Sequence, residues 1–178
     1  MRKFTIFIVA MLASGICARG SVDPRSYKNE EFLITASVPE GATLCGTSTT
    51  EHDHGPVISL GGTGAGCDES PNGRFMELFA SYSATGELVS LKKFLGSQCI
   101  DVGGGRCRVP QGKLSIEGKE TAFGLVKHPN GINDVFVVTQ AMIGTNVVTY
   151  ACHLHTSKTH QEADIATFRE FLKNLRLP

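Results

Sequence analysis

The sequence has no cluster of lysine and arginine, no second long apolar run, no internal repeat and no low-complexity tract. Each absence removes a class of function. Without clustered cations nothing neutralises a phosphate backbone, which argues against a nucleic-acid partner. The one long apolar run, Phe4 to about Leu12, is shorter than the ~20 apolar residues that span a bilayer. No transmembrane segment is therefore expected once that run is removed. Gly62, Gly64 and Gly66 resemble part of a phosphate loop, but the pair Lys-Ser or Lys-Thr does not follow. Cys67, Asp68 and Glu69 follow instead and would repel an anion. No nucleophile can be paired with a histidine base: Cys152 and His153 are neighbours on a strand and face opposite sides. An enzyme is not expected.

What is present begins with a leader. Arg2 and Lys3 precede the apolar run, and the small residues Ala13, Ser14, Gly15 and Ala18 follow it, which is the layout of a secretory signal peptide. Residues 1–20 are read as that peptide and residues 21–178 as one exported domain, periplasmic or secreted. Loss of Arg2, Lys3 and Arg19 takes the formal charge from zero to −3. Of six cysteines, Cys17 leaves with the peptide. In an oxidising compartment the other five read as disulfides with one thiol over. Several pairings are open. Cys45 with Cys67 and Cys99 with Cys107 close two local loops, each worth roughly 3 kcal/mol by chain entropy, and Cys152 is left as a buried thiol.

Period-two alternation predicts strands over Phe32 to Val38, Val57 to Leu60, Arg74 to Tyr82, Lys113 to Ile116, Thr121 to Lys127, Asp134 to Met142 and Asn146 to His155. Asp134 to Met142 carries apolar residues on both faces, as a covered central strand does. Asn146 to His155 sets Val148, Tyr150, Cys152 and Leu154 on one face and a more polar set ending in His153 and His155 on the other. Leu88, Leu91, Phe94 and Leu95 predict a helix capped by Ser83 or Thr85 and stopped at Gly96. A closing helix carries Ile165, Phe168, Phe171, Leu172 and Leu175 on one face. The fold class is α+β: an antiparallel sheet of about six or seven strands with two helices packed on it.

Tyr27-Lys28-Asn29 before Phe32 to Pro39, a middle helix, the Ile116 to Ala122 stretch, paired long strands and the final Phe168 to Leu177 segment together resemble the Mog1/PsbP-like fold. The resemblance implies a sandwich with helices on both faces of an antiparallel sheet, in the manner of small exported bacterial proteins. It brings no catalytic motif. The chain departs from the pattern in its five mature cysteines and in Ala42, which stands where an aromatic residue often follows the first strand.

Two functional readings follow. In the first, the two stapled loops recognise a protein partner in the cell envelope, through His52, Asp53 and His54 on one and Gly103, Gly104, Gly105 and Arg106 on the other. An immunity or inhibitor protein against an envelope toxin or hydrolase is of this type, and it needs no cofactor. In the second, His52, His54, His153 and His155 hold zinc or copper, because i and i+2 imidazoles share one side of an extended segment. The plainer account of these histidines is a polar loop and the end of a solvent-facing strand. His128 and His160 read as surface residues.

Overall fold

The structure, a computed structural model, describes residues 25–47, 53–61, 73–84, 86–88, 90–93, 95–96, 108 and 114–178. The strands named among them are β1 (Ser26–Asn29), β2 (Ile34–Ser37), β3 (Thr43–Thr47), β4 (Pro56–Ser59), β5 (Phe75–Tyr82), β6 (Ala122–Lys127), β7 (Ile132–Ile143) and β8 (Asn146–Ser157). The closing helix is α1 (Gln161–Asn174). Strands β3 to β8 form one antiparallel sheet in the order β3-β4-β5-β8-β7-β6, and β1 and β2 pair separately as a hairpin.

The frame is the β7–β8 hairpin. Its strands pair from Ile143 opposite Asn146 to Ile132 opposite Ser157. Gly144, at φ 59°, supplies the left-handed backbone that the tight turn requires. β8 lies between β5 and β7, so both of its edges are paired.

Alternation divides those faces. Val148, Tyr150, Cys152 and Leu154 are fully buried on one, with Met76, Leu78 and Ala80 of β5 beside them. Against this face pack Phe168, Phe171, Leu172 and Leu175 of the closing segment and Phe32, Ile34 and Ala36 of the β1–β2 hairpin. Tyr150 is deep in this core, and its hydroxyl donates to the Phe32 carbonyl at 2.8 Å, which removes the cost of burying it. On the other face Val126, Phe136, Val138 and Ala151 form a smaller core closed by Leu95.

Several elements differ from the sequence expectation, each for a local reason. The strand expected from Phe32 begins only at Ile34, because the Asn29 side chain accepts the Phe32 N–H at 2.8 Å and Leu33 turns to φ 51°. Two short strands, β1 and β3, were not expected. Leu114 and Ile116 belong to no strand: their alternation reflects burial in the main core. In the middle helix residues 91–93 and 95–96 are helical among the described residues, and Leu88, 66% exposed, lies outside it. Its N-cap is Ser90, whose Oγ accepts the Lys93 N–H at 3.4 Å, while Ser83 bonds the Glu87 carbonyl. Phe94 lies outside the described residues.

Candidate metal centre

β8 presents His153 and His155 on the face opposite Tyr150 and Cys152, and the pairing of its neighbours decides what they meet. His153 is flanked by Glu77 of β5 and Phe136 of β7, and His155 by Phe75 and Asp134. Residues directly opposite on adjacent strands have Cβ atoms about 4.5–5.5 Å apart, so these two rows form one patch. A slip of one residue in either pairing would carry its side chains to the other face.

Asp134 is the centre of the patch and is fully buried. Its Oδ1 accepts from His153 Nε2 at 2.8 Å and from His155 Nδ1 at 2.7 Å, and its Oδ2 accepts from His128 Nε2 at 2.6 Å. The other nitrogen of His153, Nδ1, donates to Glu77 Oε1 at 3.1 Å. Burial opposes the charge of Asp134, but the hydrogen bonds from His153 and His155 and their positive potential outweigh it. The carboxyl is held well below the usual carboxylate range. An ionised carboxylate is acceptor-only, which makes each facing imidazole nitrogen a donor. Desolvation likewise opposes a charge on His153, yet the bonds to Asp134 and Glu77 prevail and raise its pKa above the ordinary value.

Phenylalanines wall the site. The Phe136 ring stacks on His153 at 4.5 Å and 4°, and Phe75 stacks on His155 at 5.1 Å and 18°. Phe75 also meets His153 edge-on at 5.6 Å. The His153 and His155 side chains are 15% and 23% exposed, so the site is largely shielded from solvent. One ligand atom from each of Asp134, His153 and His155 falls within 4.8 Å of the others, a span suited to one metal ion.

The four-histidine set is divided. His54 does not join His153 and His155: its Nδ1 donates to the Ala80 carbonyl at 2.7 Å and its ring lies between Phe32 and Phe79. Ala80 pairs with Tyr150, whereas His155 pairs with Phe75 at the other end of β5. Gly55 allows this approach, because a Cβ there would stand 2.2 Å from the Leu78 carbonyl oxygen. Asp53, expected to be exposed, is half-buried. It accepts the Tyr27 hydroxyl and the Gly55 N–H on Oδ1, and its carbonyl accepts Asn29 Nδ2 at 2.6 Å. Asp53→Ala would strand the buried Tyr27 hydroxyl and should cost about 1–3 kcal/mol in urea denaturation. A variant as stable as the parent would show the knot to be incidental.

His52, Gly103, Gly104, Gly105 and Arg106 lie outside the described residues, as do Cys67, Cys99 and Cys107. Cys45 lies on β3. Cys152 is a free thiol, fully buried, and burial pushes its pKa far up, as for a packing residue. Contrary to expectation, His128 is no surface residue, being 15% exposed and bonded to Asp134. His160 is exposed just before α1, its Nδ1 2.9 Å from Ser157 Oγ. Asp134 and Glu77 were the residues sequence reasoning missed. Counting back from the Gly144 turn places Asp134 opposite His155, and that arithmetic was the available signal.

Neither a family model nor a curated protein matches the chain. Among solved structures it is similar to the solution structure of cyanobacterial PsbP (CyanoP) from Synechocystis sp. PCC 6803. The two share 9% identity at a TM-score of 0.49, over 93% of this chain and 99% of the other.

Proposed function

We propose that this protein is an exported binding protein, not an enzyme, that holds one zinc or copper(II) ion through Asp134 Oδ1, His153 Nε2 and His155 Nδ1. The observation that carries the reading is the convergence of two imidazole nitrogens on one oxygen of a buried aspartate. Two nitrogens and one oxygen suit zinc or copper(II); calcium and magnesium take all-oxygen sets, and copper(I) prefers sulfur. The ion would replace the two hydrogens that Oδ1 now accepts.

Export is supported by the leader, and the described residues contain no helix long and apolar enough to cross a membrane. The bridges Cys45–Cys67 and Cys99–Cys107 belong to the same proposal. The immunity or inhibitor reading rests on loops that lie largely outside the described residues, and its two described members, Asp53 and His54, are engaged within the fold.

Chelator-treated protein titrated calorimetrically with zinc should take up one ion per chain. At free zinc a hundredfold above Kd, the gain is about 2.7 kcal/mol, roughly a 5–10 °C rise in Tm for a domain of this size. His155→Ala should lose that rise, and because it also takes a donor from the buried Asp134 its own metal-free melting temperature is the baseline from which the rise is read. If neither zinc nor copper(II) binds the parent, the reading is wrong.

A further inference from the structure

We propose that Glu77 and His128 are the positioning residues of this site, setting its affinity without touching the ion. The inference rests on the metal-binding reading above. A histidine ligand is oriented by the partner of its second nitrogen, and a carboxylate in that place also raises its basicity. Glu77 Oε1 stands 3.1 Å from His153 Nδ1, so the ring can present only Nε2 towards Asp134 and His155. Phe136, parallel to that ring at 4.5 Å, confines its rotation.

His128 performs the matching task on the carboxylate. Its Nε2 occupies Asp134 Oδ2 at 2.6 Å, leaving Oδ1 as the oxygen for the ion and making Asp134 a one-oxygen ligand. The two outer groups come from opposite flanks: Glu77 lies on β5, and His128 follows β6 in the hairpin to β7. Charge points the same way. A divalent ion with neutral imidazoles is balanced by two carboxylates, Asp134 and Glu77, and a largely desolvated site favours such neutrality.

The test is zinc titration of the parent, Glu77→Ala, Glu77→Gln, His128→Ala and His155→Ala, with the melting temperature of each measured in chelator. Positioning predicts that Glu77→Ala and His128→Ala bind zinc about 10- to 100-fold more weakly. Glu77→Gln, which keeps an acceptor oxygen for His153 Nδ1, should lose less. The metal-free melting temperature of Glu77→Ala should stay close to the parent's, because that side chain is 31% exposed. His128→Ala takes a donor from the buried Asp134 and should lower it, so zinc affinity is compared at a temperature where every variant is folded. If the parent binds zinc, His155→Ala abolishes binding and both alanine variants bind like the parent, the positioning roles are overturned and the metal site stands. If Glu77→Ala binds zinc more weakly only together with a fall in its metal-free melting temperature, or His128→Ala binds like the parent once folded, the residues serve the fold and the proposal fails. If the parent takes up no zinc or copper(II), the metal reading falls and this inference with it.

Discussion

Arg74→Met should destabilise the protein by about 3–5 kcal/mol, the cost of removing one partner from a buried ion pair. Arg74, just before β5, forks onto Asp164 in the first turn of α1, with Nε donating to Oδ2 at 2.8 Å and an Nη donating to Oδ1. Thr156 of β8 donates to the same carboxylate. Asp164 is 2% exposed, so without Arg74 its charge stays buried with only the hydroxyl and the positive end of the helix for company. The hydrogen bond to Asp164 raises the Arg74 pKa against the opposing effect of burial. The double variant Arg74→Met with Asp164→Leu removes both charges and should recover much of the loss. Urea denaturation of the two single variants and the double gives the coupling. A loss under about 1 kcal/mol for Arg74→Met would reduce the pair to the worth of a surface salt bridge.

Phe168→Ala should cost roughly 3–5 kcal/mol, because the ring is fully buried between helix and sheet and its removal leaves a cavity. Its neighbour Phe171, also fully buried, stacks at 6.3 Å and 11° and cannot swing far without losing its own contacts. At about 2–4 °C per kcal/mol for a domain of this size, the melting temperature should fall by roughly 6–20 °C. Leu88→Ala is the control: that side chain is 66% exposed, and its loss should shift stability by no more than about 0.5 kcal/mol. If the two variants melt alike, the closing helix is not docked as described.

The long strands and the closing helix were legible because burial writes a period into them. Val148, Tyr150, Cys152 and Leu154 alternate as a half-buried strand must, and Phe168, Phe171, Leu172 and Leu175 recur at helical spacing. Leu114 and Ile116 show the limit of that signal, since alternation reports burial and is silent on backbone pairing. β1 was illegible because four residues with Tyr27 as their one large ring carry little period. Asn29 shapes the turn into β2 by a local bond, while Asp53 ties to Tyr27 and Asn29 from a segment far away in sequence.

The candidate site was half legible. His153 and His155 share a face by local geometry alone, and the sequence by itself determined that face, the strand and the helix behind it. Only the tertiary structure decided their company. Strand pairing brought Asp134 from β7 and Glu77 from β5 beside them, while the close packing of Gly55 on β5 took His54 to Ala80 and away from the cluster. Periodicity is set by each residue's own backbone, whereas a site depends on register between strands, and register is chosen by the whole core at once.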